Sequence, residues 1–144
     1  MENKNEMLLR AIEIAVEKHK KQVDKAGAPY VLHCFRMMLK GKTMEEKITG
    51  VLHDVVEDTS IDENCLRKEG FSEEIIAAVM ALTKIKGESN KSYLEKVTAN
   101  KIATNVKMYD LEDNLNLLRL EKIAERDVER LNKYIDTYRK LVIR

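Results

Sequence analysis

Apolar residues recur at spacings of three and four along most of the chain, and no stretch alternates apolar and polar residues at period two. This periodicity is typical of α-helices that bury one face. We therefore predict an all-α helical bundle, folded as a single domain over residues 1–144. The predicted helices cover about 5–22, 29–41, 43–59, 60–69, 72–82, 93–99, 106–118 and 127–143.

Local signals mark several of the helix ends. Pro29 suits the first turn of the second helix, where its missing N–H costs nothing, and Gly41 ends that helix. Thr43 and Glu46 have the spacing of a capping box, and Ser72 is a good N-cap. The connection 84–90 is the most polar in the chain, so we expect it to be mobile; whether it folds over a substrate stays open.

The apolar stripes of the helices place the histidines differently. His19 continues the stripe of the first helix, so we expect it to be packed or hydrogen-bonded to a neighbouring helix. His33 lies off the stripe of the second helix, where a histidine is normally exposed. The predicted stripes comprise Leu8, Ile12, Ala15 and Val16; Val31, Leu32, Phe35, Met38 and Leu39; Ile75, Ile76, Val79 and Leu82; Met108, Leu111, Leu115 and Leu118; and Val128, Leu131, Ile135, Tyr138 and Val142.

The segment 53–59 contains a histidine and three carboxylates at the predicted end of a helix. Its polar residues His53, Asp54, Glu57 and Asp58 would share the face opposite the apolar stripe. A solvated polar face is the ordinary explanation of such a cluster. Two features favour a metal site instead: the helix dipole disfavours acids at a C-terminus, and an adjacent His-Asp pair offers a nitrogen and an oxygen ligand.

Composition and charge narrow the function. The net charge is +1, so the chain has no overall attraction to nucleic acid polymers or anionic membranes. No apolar run approaches the ~20 residues needed to span a bilayer. Cys34 and Cys65 are the only cysteines, which favours reduced thiols over a disulfide framework. We expect a soluble, cytoplasmic protein, and its oligomeric state stays open.

Several ligand sets are compatible with the sequence. His33, His53 and Asp54 could converge with one acid from Asp110, Glu112 or Asp113, which gives a mixed nitrogen and oxygen shell suited to Mn²⁺ or Fe²⁺. A metal with open positions activates water and polarises a phosphoryl oxygen. Glu57 and Asp58 would then orient that water or move its proton. The candidate phosphate partners are Lys25, Lys107 and Arg119.

The order of His33, then His53 and Asp54, then Asp110 resembles the H…HD…D pattern of the HD-domain metal-dependent phosphohydrolases. More narrowly, the chain resembles the hydrolase domain of the RelA/SpoT alarmone enzymes and their small single-domain relatives. HD alone is a weak motif, whereas the longer strings around it are specific. The matching segments are Lys18–Gln22, Gly27–His33, Leu52–Thr59 and Val106–Asp110, followed by Asn114 and Leu115.

The resemblance implies an all-α HD fold in which His33, His53, Asp54 and Asp110 hold Mn²⁺, or Fe²⁺ or another divalent metal. It also implies that Glu57 and Asp58 serve the attacking water, and that Lys25, Lys107 and Asn114 face a nucleotide substrate or its phosphates. The reaction it implies is removal of the 3′-pyrophosphate of ppGpp, which gives GDP or GTP and pyrophosphate.

The chain departs from the family at two positions. Asp24 stands where these hydrolases usually have an arginine associated with the guanine base, and Cys34 replaces the usual proline after the first metal histidine. Because the first departure removes the arginine associated with the guanine base, a hydrolase of another nucleotide or phosphorylated metabolite is an alternative interpretation. A nucleotide-sensing module without turnover is a further alternative.

Overall fold

The computed structural model describes residues 3–143 and is helical, as predicted. Within that range no strand forms, and the only β-type pairing is an isolated bridge between Val23 and Pro29. A short 3-10 helix covers Leu117–Arg119. The α-helices are α1 Lys4–Lys18, α2 Val31–Lys40, α3 Met44–Leu52, α4 Val55–Asp58, α5 Glu63–Lys68, α6 Glu73–Leu82, α7 Asn90–Thr98, α8 Lys101–Asn114 and α9 Glu125–Ile143.

Helix α3 lies at the centre and packs against α1, α2, α6 and α8. Thr43 caps it as predicted, because its hydroxyl accepts from the Glu46 N–H at 3.1 Å. The Glu46 carboxylate accepts from the N–H of Lys42 rather than that of Thr43. Near the other end, Gly50 lets α2 approach closely, since a Cβ there would lie 3.1 Å from the Met37 carbonyl group. The C-terminal end of α3 is thereby held next to α2.

The predicted continuous helix through residue 59 is wrong. Helix α3 ends at Leu52, and the chain turns at His53 and Asp54 before α4 begins at Val55. The carbonyl of Gly50, which a continuing helix would offer to the next turn, accepts from the His53 ring at 2.7 Å. Glu57 and Asp58 therefore lie in a four-residue helix, and the argument from the dipole of a long helix does not apply to them.

The predicted buried faces are right in some helices and wrong in others. All four predicted residues of α6 are buried, and Ser72 caps that helix. In α2 the buried residues are His33, Cys34 and Met37, whereas Leu32 and Leu39 are exposed. Helix α1 ends at Lys18 and α8 at Asn114, four residues short of the prediction in each case. The predicted stripe residues that are exposed instead are Val16, Leu118, Val128, Ile135 and Val142.

Two further findings concern the cysteines and membranes. Cys34 and Cys65 are both free thiols. In the described part of the chain, no helix has the length and apolar character that crossing a membrane requires.

Candidate metal centre and cavity

His33 of α2 and His53 after α3 face one another through their Nε2 atoms, which lie 3.3 Å apart. Both rings are buried. The Nδ1 of His53 donates to the Gly50 carbonyl, and the Nδ1 of His33 lies 2.5 Å from a carboxylate oxygen of Asp113. Because each acceptor requires a proton on Nδ1, both Nε2 atoms present lone pairs when the rings are neutral. Two lone pairs this close repel one another unless a cation or a proton lies beside them.

Asp113 fixes the orientation of His33 from behind. Its side chain is 3% exposed, and it also accepts from Arg36 at 2.7 and 3.1 Å. The pKa of the Asp113 carboxyl is lowered, since hydrogen bonds from His33 and Arg36 outweigh the effect of burial. A carboxylate that orients a metal-binding imidazole in this way is a usual partner of metal sites. Asp113 was one of three acids considered as ligands, and it lies on the other side of His33 from the Nε2 atoms.

Asp54 and Asp110 supply carboxylate oxygens on the Nε2 side. Oδ2 of Asp54 lies 3.0 Å from Nε2 of His53. Oδ1 of Asp110 lies 3.0 Å from Nε2 of His33 and 3.4 Å from Nε2 of His53. Ligand atoms of His33, His53 and Asp54 all lie within 4.8 Å of one another. Two imidazoles and two carboxylates thus converge, a donor set that fits a divalent transition metal.

Charges around the cluster keep both carboxylates ionised. Burial opposes ionisation of Asp110, but the Lys107 ammonium and the two imidazoles, when these are protonated, outweigh it and hold its pKa well below the usual range. Burial likewise opposes ionisation of Asp54, yet the charge of protonated His53 keeps its pKa low. Tyr30 adds a hydrogen bond from its hydroxyl to Asp54. Both acids therefore act as anionic, acceptor-only groups.

Three residues of the cluster, His53, Asp54 and Asp110, line a cavity of about 460 Å³. Glu57 and Asp58 line it, so the turn after α3 keeps them beside His53 and Asp54 although the four do not share one helix face. Partial burial raises the pKa of both carboxyls, even though both remain in contact with solvent. A raised pKa lies closer to neutral pH, and this makes a carboxylate a better acceptor of a proton.

The three residues predicted to contact a substrate also line this cavity. Lys107 approaches Asp110 at 3.4 Å and lies over the Tyr93 ring, 5.4 Å from its centroid. Asn114 donates to Asp110 at 3.1 Å. Lys25 is exposed at the rim and also lines an adjoining cavity of about 590 Å³. The predicted common face of Lys107, Asp110 and Asn114 is therefore present in α8.

Arg119 and Asp24 form an ion pair at the boundary of the two cavities. Nη1 of Arg119 lies 3.0 Å from the Asp24 carboxylate, whose side chain is 8% exposed. The other oxygen of Asp24 accepts from the N–H groups of Ala26 and Ala28. The acid at position 24 is thus neutralised by a guanidinium and used to shape its own loop. Arg119 lines the adjoining cavity and not the main one.

Glu112, the third acid considered, is exposed and pairs with Lys40, away from the cluster.

Three residues that line the main cavity were not predicted: Gln22, Tyr93 and Tyr134. Periodicity offered one usable signal: Tyr134 follows the buried Leu131 by three residues, on the face of α9 that packs inward.

The chain is similar in sequence to two bacterial proteins. No family model matches it. It is similar to the guanosine-3′,5′-bis(diphosphate) 3′-pyrophosphohydrolase of Aquifex aeolicus, with 34% identity over 120 residues, or 77% of this chain and 17% of that protein. The protein of the same name from Borreliella burgdorferi is 36% identical over 89 residues, or 59% of this chain and 13% of that protein. The matched segment is therefore less than a fifth of each relative.

A solved structure shares the fold. It is a metazoan ortholog of SpoT that is described as hydrolysing ppGpp and playing a role in starvation responses. The TM-score is 0.77 at 20% identity, and the match covers 95% of this chain and 85% of that one. At this level of identity the likeness establishes the all-helical fold.

Proposed function

We propose that this chain, a relative of the SpoT-type ppGpp 3′-pyrophosphohydrolases, hydrolyses a phosphorylated nucleotide with the help of a divalent metal. Our leading substrate is ppGpp, whose 3′-pyrophosphate would be released. The observation that carries the proposal is the convergence of two imidazole Nε2 atoms on the Asp110 carboxylate, 3.0 and 3.4 Å away. This convergence lies at the wall of a cavity lined by Glu57 and Asp58.

We assign the metal to His33, His53, Asp54 and Asp110. The mixed nitrogen and oxygen donors fit Mn²⁺, our first choice, or Fe²⁺. Bound there, such a cation would polarise a phosphoryl oxygen and make water more acidic. The chain also holds the ligands in place, since Asp113, Gly50 and Tyr30 each take part in a hydrogen bond with one of them.

We assign the handling of the attacking water to Glu57 and Asp58. One oxygen of Glu57 accepts from the Lys84 N–H at 2.8 Å, and one oxygen of Asp58 accepts from the Gln22 amide at 3.1 Å. Among the residues described, the second oxygen of each carboxylate has no protein donor and can hold a water molecule. Either acid can take the proton that water loses when its oxygen attacks phosphorus.

The substrate phosphates would be held by Lys107 and Lys25, with Asn114 at the same wall. Lys107 is the inner cation, because its side chain is 19% exposed and its ammonium lies 3.4 Å from the assigned ligand Asp110. Lys25 stands at the rim and would attract an anionic substrate from solvent. A small nucleotide fits this arrangement, whereas the net charge of +1 favours no nucleic acid polymer.

The free thiols support a cytoplasmic location.

A different nucleotide is the second candidate substrate, and the Asp24–Arg119 pair is the observation that favours it. An acid replaces the arginine that is usual in alarmone hydrolases, and the nearest guanidinium belongs to Arg119, on a different segment. The guanidinium available to a nucleotide base at the rim therefore comes from a different position than in the alarmone hydrolases. A sensing module without turnover is the third candidate.

The deciding experiment is an Mn²⁺-supplemented screen of phosphorylated nucleotides, ppGpp included, with release of phosphate and pyrophosphate measured. Pyrophosphate from ppGpp, abolished by Asp54→Ala and kept by Glu112→Gln, is the expected result. Turnover of another nucleotide alone would establish the second candidate. Binding of about one Mn²⁺ per chain without any turnover would establish the third. Failure to bind any transition metal after Mn²⁺ dialysis would refute the assigned centre.

A further inference from the structure

A chain of hydrogen bonds runs from the end of α1 to Asp58. Nδ1 of His19 lies 2.8 Å from Oε1 of Gln22. Nε2 of Gln22 in turn donates to Oδ2 of Asp58 at 3.1 Å. His19 is 1% exposed, and its Nε2 is buried without a hydrogen-bond partner in the described part of the chain. One end of this chain is thus in the core and the other is at the cavity.

The chemistry of the three groups fixes the direction of each bond. An ionised carboxylate only accepts, so the amide nitrogen of Gln22 must face Asp58. The amide oxygen then faces His19, which requires the proton of His19 to be on Nδ1. Without a donor on Nδ1 of His19, the bond to Asp58 alone would hold the amide in this orientation. His19 therefore reinforces the orientation in which the amide nitrogen of Gln22 meets Asp58.

Both supporting residues are held firmly. The N–H of His19 bonds to Ala15 at the end of α1, and its ring packs on Tyr30 with centroids 5.1 Å apart. The backbone of Gln22 is tied at both groups: its N–H donates to His19, and its carbonyl accepts from Tyr30 at 2.8 Å. Tyr30 is also the residue whose hydroxyl donates to Asp54. One hydrogen-bonded unit therefore supports both Asp54, through Tyr30, and Asp58, through Gln22.

We propose that Gln22 is a positioning residue for Asp58 and that His19 reinforces the orientation of the Gln22 amide. The inference rests on the role proposed above for Asp58 in handling water. By occupying Oδ2, the Gln22 amide fixes the rotation of the carboxylate and leaves Oδ1 for the water molecule. Without it, Asp58 samples several orientations at the open side of the cavity, and fewer of them place an oxygen correctly.

The first test compares variants at Gln22 and His19 in the full chain with Mn²⁺. Gln22→Met keeps the length of the side chain and removes both bonds, so kcat should fall about 10- to 100-fold while KM and Mn²⁺ affinity stay unchanged. His19→Asn places an amide N–H near the former Nδ1 and should retain more activity than His19→Leu. Lys20→Ala, an exposed change in the same turn, should behave like wild type. A higher KM or a lower Mn²⁺ content, with kcat unchanged, would contradict the proposal.

A double-mutant cycle shows whether Gln22 acts through Asp58. If it does, Gln22→Met should cost nothing further in an Asp58→Asn background, whereas an additive loss would refute the coupling.

A third readout needs no substrate. The ring N–H of His19, hydrogen-bonded and buried, should give a slowly exchanging proton resonance in ¹⁵N-labelled protein. That resonance should shift or disappear in Gln22→Met, and its persistence unchanged would refute the hydrogen-bond chain whatever the protein hydrolyses. If wild type turns over no nucleotide while this resonance responds as expected, the proposed function fails and the hydrogen-bond chain stands, with Gln22 positioning Asp58 for no catalytic purpose.

Discussion

Replacing Asp113 by asparagine should weaken Mn²⁺ binding although Asp113 is not an assigned ligand. The carboxylate accepts from Nδ1 of His33 at 2.5 Å and from two nitrogens of Arg36 at 2.7 and 3.1 Å. An asparagine keeps one acceptor oxygen and turns its NH₂ group toward a donor. Because Oδ2 accepts from both His33 and Nη2 of Arg36, and Oδ1 accepts from Nε of Arg36, either orientation of the asparagine leaves at least one of these donors facing its NH₂ group.

The structure allows the size of the effect to be bounded. Loss of a carboxylate that orients a metal-binding histidine typically lowers metal affinity 10- to 100-fold. This corresponds to about 1.4 to 2.8 kcal/mol of binding free energy. Since the side chain is 3% exposed, the unmet donor would also lower the free energy of unfolding, by about 1 to 3 kcal/mol.

Calorimetric titration of the metal-free protein with Mn²⁺ measures the first effect, and urea unfolding measures the second. Glu112→Gln is the matched control, because Glu112 is the neighbouring acid, is 41% exposed and pairs only at the surface with Lys40 and Tyr138. The reasoning is refuted if folded Asp113→Asn binds Mn²⁺ within twofold of wild type, or if Glu112→Gln weakens binding equally.

Three further predictions follow from other parts of the molecule. Gly50→Ala should lower the free energy of unfolding by about 1 to 3 kcal/mol, because its Cβ would press on the Met37 backbone at 3.1 Å; a more stable variant in urea unfolding would contradict this. Glu46→Gln should lower Tm at pH 7, with the difference shrinking as pH falls below 4.5, since the Lys42, Asn105 and Tyr109 donors outweigh burial and hold the folded-state pKa of Glu46 below 4.5; a difference independent of pH would contradict it. Lys25→Ala should raise KM about 3- to 10-fold without changing Mn²⁺ affinity, as expected for a rim cation; a loss confined to kcat would assign Lys25 a different role.

The fold class and several helices could be predicted because apolar periodicity and capping residues agree there. In α6, Ser72 caps the helix and the predicted apolar residues are all buried. The end of α8 was mispredicted for a definite reason. Leu115 and Leu118 continue the helical spacing, but the helix stops at Asn114 and Leu118 is 94% exposed. Spacing alone does not reveal that no neighbouring element covers the last turn.

The face of α2 shows why residues of the site escape a periodicity argument. The method assumes that a buried face is apolar, yet His33 is buried on α2 beside Met37. Burial is tolerable because Nδ1 of His33 donates to Asp113, and a proton or a bound cation between Nε2 and Asp110 would satisfy both of those groups. Those partners come from α8, about 80 positions later in the chain, so no local pattern contains them.

The turn between α3 and α4 was invisible for a related reason, and it determines how the adjacent His53 and Asp54 can act together. Leu52 and Val55 are both fully buried and three residues apart, the same spacing as in an unbroken helix. In an unbroken helix, neighbouring side chains diverge by about 100° and cannot approach one point easily. The turn at Asp54, with φ −107° and ψ 2°, instead brings its carboxylate to 3.0 Å from Nε2 of His53. The interruption of the helix is therefore what makes two consecutive residues usable as ligands of one ion.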